Sequence, residues 1–205
     1  MRFELPKIYP ITDVRISGIS IPDQVERLIA GGAMFIQLRE KQASLRDFYE
    51  SVARSIGIAR AYGARIIIND RLDIALASKA DGVHLGQDDL PCTHARRILG
   101  GNAIIGISTH SPRQALAAIQ LPIDYIAIGP IFPTSTKERP NAAVGLEGLS
   151  KTRSLIADFP LVAIGGITSS NLKSVLDAGA DSAAIISGLV SDSDQITQRM
   201  QALIR

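Results

Sequence analysis

The sequence predicts an α/β protein, a single (β/α)8 TIM barrel, and three observations carry that reading. Eight short apolar runs alternate with segments of helical spacing over the 205 residues. Where nearly every run gives out, the next residues are types that handle anions or metals, and they differ from run to run. Chemistry gathered at one end of many consecutive strands requires those strands to be parallel and closed around a shared mouth. Hydrophobic residues make up 46% of the chain and aromatic residues only 4%, so the core is expected to be built from Ile, Leu, Val and Ala, as parallel strands buried on both faces require.

In chain order, the strands are expected over 7–12, 35–38, 65–69, 82–85, 104–108, 125–129, 161–164 and 182–186. The second runs into Gln37-Leu38-Arg39-Glu40-Lys41, the third into Asn69-Asp70, and the fourth into Gly86-Gln87-Asp88-Asp89. The fifth meets Ser108-Thr109-His110, the seventh ends in Gly165-Gly166 and the eighth in Ser187-Gly188. Helices are expected between them, over 21–30, 44–62, 72–79, 93–99, 112–120, 146–158, 171–178 and 192–203. A weak repeat places Asp81, Asp124 and Asp181 just before strands four, six and eight. That is the face opposite the mouth, so capping or turn roles are expected of them. The stretch 130–145 after the sixth strand is the one extended irregular segment; its hydroxyls and Lys137 mark it as a binding loop or lid.

Residues 1–205 fall near the lower size limit for such a barrel, so one domain is expected. The formal charge of +2 is nearly balanced and Lys and Arg are dispersed. No nucleic-acid or membrane surface is therefore expected, and any anion affinity should be local. A single cysteine, Cys92, excludes an intrachain disulfide framework and a multi-cysteine zinc site, which fits a reducing cytoplasm. Charges at Arg2, Glu4 and Lys7 argue against a signal peptide, and no run reaches membrane-spanning length. Whether copies associate as a homo-oligomer is left open.

Arg39 and Lys41, two apart, should point the same way from extended backbone, with Lys137 facing them. Three converging cations imply a polyanionic ligand, diphosphate being the obvious candidate. The competing reading pairs Arg39 and Lys41 with Glu40 or Asp70 in an exposed network. Asp70 and Asp89 end adjacent units and could share one hard cation such as Mg2+, held by one or two carboxylates with water and phosphate oxygens completing the shell. Against that, Asp89 could merely cap the following helix, and Asp88 competes for the same role. Gly165-Gly166 with Ile186-Ser187-Gly188 stand where these barrels commonly bind phosphate through backbone N–H groups. Of the histidines, His84 reads as a hydrogen-bonded core residue and His94 as a helix-surface one; only His110 sits where chemistry is expected.

Taken together, Tyr9-Pro10-Ile11-Thr12-Asp13, Gln37-Leu38-Arg39-Glu40-Lys41, Ile68-Asn69-Asp70, Val83-His84-Leu85-Gly86-Gln87, Gly129-Pro130-Ile131-Phe132-Pro133-Thr134-Ser135-Thr136-Lys137 and Ile164-Gly165-Gly166-Ile167 resemble the thiamine phosphate synthase family over essentially the whole chain. The chain departs from the family pattern at Pro10 and at Ser182-Ala183. The resemblance implies a transferase that condenses hydroxymethylpyrimidine diphosphate with (carboxy)thiazole phosphate, releasing diphosphate and carbon dioxide. It implies that Gln37, Leu38, Arg39, Glu40, Lys41, Asn69, Ser108 and Lys137 hold the pyrimidine diphosphate. It further implies that Asp70 and Asp89 ligate magnesium, and that Thr134, Ser135, Thr136, Gly166, Ile186 and Ser187 hold the thiazole phosphate. In the implied mechanism the pyrimidine ionises first and the thiazole nitrogen captures the cation, with Arg39, Lys41 and Lys137 as the catalytic charges. Rival readings are a thiazole tautomerase-like paralogue using a mouth histidine, a Schiff-base aldolase using Lys137, and a non-catalytic regulator that binds thiamine phosphates.

Overall fold

A computed structural model describes residues 4–134 and 142–204 of the chain. Eight parallel strands form one sheet: β1 (Ile8–Pro10), β2 (Phe35–Leu38), β3 (Arg65–Asn69), β4 (Gly82–Leu85), β5 (Ile104–Thr109), β6 (Tyr125–Ile128), β7 (Leu161–Ile164) and β8 (Ser182–Ile185). From β2 to β8 each strand pairs with the next in sequence, and β1 pairs with β8. The remaining gap, between β1 and β2, is closed by a bridge from Ile11 to Gln37, with the Thr12 N–H donating to the Gln37 carbonyl at 2.9 Å. The sheet is therefore a ring, which leaves no edge strand to protect.

The helices lie where the periodicity places them: α2 (Ile21–Ala30), α3 (Leu45–Ala61), α4 (Leu72–Ser78), α5 (Cys92–Leu99), α6 (Pro112–Ala118), α7 (Gly145–Ile156), α8 (Leu172–Asp177) and α10 (Ile196–Ile204), the last preceded by a 3₁₀ turn at Ser193–Gln195. Two short helices were not expected: α1 (Val14–Ser17) and α9 (Ser187–Val190), each four residues long. Four residues are too few to show an apolar period, which is why the sequence does not announce them. Local chemistry sets several starts. Ser20, Ser44 and Ser111 each accept the N–H of the residue three positions on, and Ser20 and Ser44 also donate to the Asp at that position. Such caps contribute about 1 kcal/mol each.

Side chains alternate along each strand, so the ring has two cores. Between sheet and helices the packing is aliphatic as expected, with Leu28, Ile36, Leu38, Ile66, Ile68, Val83, Leu85, Ile126 and Ile128 fully buried. Burying one such side chain contributes roughly 1.5–3 kcal/mol. Inside the ring the expectation of a purely aliphatic core fails. Tyr9, Phe35 and Tyr125 meet there, Tyr9 and Phe35 with ring centroids 4.6 Å apart and Tyr125 edge-on to both. An eight-stranded interior narrows to side-chain width, and large flat rings fill it where a neighbour gives way. Gly106 is that neighbour: a Cβ built on it would lie 2.1 Å from the Tyr125 ring.

The three aspartates at the bottom have a uniform role. The carboxylates of Asp81, Asp124 and Asp181 accept the backbone N–H of Ile66, Ile105 and Leu161 at 2.7, 2.7 and 2.8 Å. Each thereby ties the loop before an even-numbered strand to the strand preceding it. Arg96 and Arg153 reach down from α5 and α7 to the second and third of these carboxylates. Ser182, at the bottom of β8, is fully buried and its hydroxyl has no hydrogen-bond partner among the described residues.

Candidate active site

At the C-terminal end of the ring lies a cavity of about 100 Å³. Gln37, Arg39, Asn69, Ser108, Thr134, Gly166, Ile186 and Ser187 line it, from the ends of β2, β3, β5, β6, β7 and β8, whereas Leu38, Glu40, Lys41, Asp70 and Asp89 do not. Ser135, Thr136 and Lys137 lie outside the described residues.

The charged groups sit on the β2–β4 side of the mouth. Arg39 pairs with Asp13, whose other carboxylate oxygen caps α1 by accepting the Ile16 N–H at 3.1 Å. Lys41 pairs with Asp70 at the end of β3. The two cations therefore do not point the same way. The chain bends at 41–43, because Glu40 folds its carboxylate back onto the N–H groups of Lys41, Gln42 and Ala43 at 2.7, 2.7 and 3.2 Å. Arg39 is sent toward β1 and Lys41 toward β3. The pairing of Lys41 with Asp70 was one of the competing readings; the partner of Arg39 was not foreseen, although Asp13 stands in the first strand's own motif. Glu40 is committed to that bend, and the Leu38 side chain is fully buried between sheet and helices, so neither lines the cavity.

Asp70 adopts a left-handed backbone, φ 61°, which a non-glycine residue holds only under constraint from its surroundings. The turn brings it beside Asp89. Burial pushes the Asp89 carboxyl above the usual carboxylate range, and the Asp70 carboxylate adds to the rise, while a 2.6 Å hydrogen bond from the Gly86 N–H and the nearby Lys41 oppose it. Asp89 does not cap α5, which has Pro91 at its cap and no side-chain hydrogen bond there, and Asp88 is exposed. Asp70 and Asp89, two carboxylates side by side, are the residues here that could hold a divalent cation. Among the described residues no group of three or more His, Cys, Asp or Glu side chains exists to make an all-protein cage.

The β7–β8 side is built from backbone. Gly165 and Gly166 have φ of 102° and 65°, and a Cβ on either would meet Pro130 at 2.5 Å or Phe132 at 2.7 Å. Glycine is thus required twice over, for conformation and for the close approach of the loop after β6. Beyond β8, α9 begins at Ser187, and the first N–H groups of a helix have no partner within it. The loops after strands seven and eight with a short extra helix are the usual phosphate cradle of this architecture.

Below the mouth runs a chain of buried hydrogen bonds. Gln37 Nε2 donates to the Tyr9 hydroxyl at 3.0 Å, the Tyr9 and Tyr125 hydroxyls are 2.9 Å apart, Tyr125 meets His84 Nδ1 at 2.9 Å, and His84 Nε2 meets Ser108 Oγ at 2.9 Å. His84 is thus a hydrogen-bonded interior residue as expected, but it also borders the cavity. Tyr9 and Tyr125 were not expected at the site. The signal for Tyr9 was its inward parity with Ile11 on β1; for Tyr125 nothing local distinguishes it from a core aromatic. His110 borders the cavity too, its Nδ1 2.7 Å from the Gly129 carbonyl.

A closed (β/α)8 barrel whose polar groups converge at its C-terminal mouth has the architecture of an enzyme. A family model described as thiamine monophosphate synthase matches residues 8–189. A thiamine-phosphate synthase of Chloroflexus aurantiacus is 42% identical over 202 residues, covering 97% of this chain and 92% of its own length. One from Syntrophomonas wolfei is 45% identical over 188 residues, covering 91% and 90%. The solved thiamine phosphate pyrophosphorylase of Pyrococcus furiosus superposes with a TM-score of 0.85 at 38% identity, covering 96% of this chain and 93% of that one. The chain belongs to the thiamine monophosphate synthase family. Its activity is the family's, thiamine-phosphate synthesis by a transferase. Among the described residues no helix is long and apolar enough to cross a membrane.

Proposed function

We propose that this chain joins hydroxymethylpyrimidine diphosphate to (carboxy)thiazole phosphate by dissociative substitution assisted by magnesium, releasing diphosphate and carbon dioxide. One observation carries the reading: Arg39 borders the cavity on the β2–β4 side, with Lys41, Asp70 and Asp89 clustered beyond the ends of those strands, and Gly165, Gly166 and Ser187 border it on the β7–β8 side. Two anionic substrates that react with each other call for two anion sites facing one cavity.

In this reading Gln37, Asn69 and Ser108 hold the pyrimidine end, while Arg39, Lys41 and Lys137 bind its diphosphate. Asp70 and Asp89 would ligate the magnesium ion, which when bound neutralises diphosphate charge and so eases its departure. Lys41, paired here with Asp70, is placed to turn to a phosphate oxygen. Gly166, Ile186 and Ser187 would hold the thiazole phosphate through backbone N–H groups, with Thr134, Ser135 and Thr136 covering it. The chain's catalytic task is to stabilise charge on the leaving diphosphate more than charge on the bound substrate. The cation left behind is sheltered by the apolar wall of Ile11, Val162 and Ile164 until the thiazole nitrogen captures it.

Diphosphate release, measured with both substrates and magnesium and then with each left out in turn, tests this. Release that requires all three supports the proposal. Release without the thiazole phosphate at the full rate, or none with all three present, refutes it.

A further inference from the structure

The buried chain from Gln37 to Ser108 begins and ends in the cavity, because Gln37 and Ser108 both line it. Its hydrogens are not free to point either way independently. Burial holds both tyrosine hydroxyls well above the ordinary phenol range, so each stays protonated and carries one hydrogen. Gln37 presents its amide N–H to Tyr9, so Tyr9 accepts there and sends its own hydrogen to Tyr125. Tyr125 then sends its hydrogen to His84 Nδ1, with which it is also stacked at a ring separation of 5.4 Å. A neutral imidazole that accepts at Nδ1 carries its proton on Nε2. That nitrogen therefore donates to Ser108 Oγ and leaves the serine hydrogen for the cavity. At the other end, turning the Gln37 nitrogen to the tyrosines leaves the amide oxygen for the cavity. Reversing the relay anywhere would place two hydrogens, or none, between some pair of buried atoms, so it reverses as a unit or not at all.

We propose that Gln37, Tyr9, Tyr125, His84 and Ser108 form a polarised relay that presents one acceptor, the Gln37 oxygen, and one donor, the Ser108 hydroxyl, to the ligand, and so selects an amino-substituted ring over its oxo counterpart. This rests on the pyrimidine reading of the cavity. An aminopyrimidine offers an exocyclic N–H donor and a ring-nitrogen acceptor, which match the two ends. The oxo analogue reverses both, leaving buried polar groups unpaired, the condition under which sites discriminate most strongly. Tyr9, Tyr125 and His84 are positioning residues here; none needs to touch the ligand.

Two measurements decide it. The ¹⁵N spectrum of His84 in the ligand-free full chain should show a proton on Nε2 and a bare Nδ1; the opposite tautomer overturns the relay. Being read without substrate, this result stands apart from the functional proposal, which is judged on wild-type diphosphate release. In Tyr125→Phe the ring that fills the space at Gly106 is kept and one link is cut. The ratio of kcat/KM for amino over oxo pyrimidine diphosphate should then fall at least about tenfold, with the KM for thiazole phosphate unchanged. Tyr9→Phe should lower the ratio in the same way and serves in its place if Tyr125→Phe does not fold. A folded variant with the wild-type ratio overturns the proposal.

Discussion

Under the proposed function the two halves of the mouth hold an anion by different means. On the β2–β4 side the charges are side chains, each engaged with another: Arg39 with Asp13, Lys41 with Asp70, and Asp70 crowding Asp89. On the β7–β8 side the polar groups are backbone amides, exposed by two glycines at positive φ and by the start of α9. Paired side chains can exchange partners when ligand or metal arrives, so this half can respond during the reaction. Amides fixed by the barrel cannot move in that way. Under the proposed function, the half assigned to the departing diphosphate is the adjustable one.

The largest test of this contrast is Lys137→Ala, which should lower turnover by about two to three orders of magnitude, the scale seen when one donor to developing charge is lost. Steady-state diphosphate release measures it, and near-normal turnover would remove Lys137 from the charged half. Next, Gly166→Ala puts a methyl 2.7 Å from the Phe132 Cβ at a φ of 65° and strains the amide half alone. The KM for thiazole phosphate should rise about tenfold, the loss of one hydrogen bond to a charged group, while the KM for the pyrimidine substrate holds. Equal rises in both would show that the halves are not independent.

Magnesium should stabilise the folded chain by about 2.7 kcal/mol when present at a hundredfold excess over its dissociation constant. Asp89→Asn should abolish that gain in a thermal melt and leave the metal-free protein no less stable than wild type, since a like charge is gone. Burial of Asp89, reinforced by Asp70, also sets a pH dependence. The Asp89 carboxyl is raised in the fold, so its ionisation costs the native state more than the unfolded one. Its contribution favours folding at low pH and is lost as pH rises from the ordinary carboxylate value through the raised one. Melts without metal should show this loss in wild type and a smaller one in Asp89→Asn. The smallest effect lies far from the mouth. Ser182→Ala removes a buried hydroxyl without a partner among the described residues and should stabilise the protein by about 1 kcal/mol in denaturant unfolding, with activity unchanged.

Strand and helix positions were largely legible because each is a local periodicity with turn residues on either side. The residues 82–85 and 161–164 were expected as strands and are strands. What the periodicity missed was short, as in α1 and α9, or depended on a neighbour distant in sequence. Arg39 and Lys41 read as one converging pair, but the Glu40 carboxylate bends the chain between them and Asp13 captures the first. Leu38 carries the same motif as its neighbours, yet strand parity turns it to the outer core.

Composition also misled about the interior. An aromatic content of 4% predicts an aliphatic core, and the outer core obeys, but Tyr9, Phe35 and Tyr125 collect inside the ring. Period-two alternation says which residues share a face of one strand; it does not say which residues of other strands complete that face. The sequence by itself therefore determined the number and order of the elements, the mouth at which polar residues gather, and the family. Only the closed ring decided which charges pair, which carboxylates repel, and that Tyr9, Tyr125 and His84 stand in contact. Those are matters of distance between residues up to 116 positions apart, set by curvature and closure of the sheet rather than by any local run.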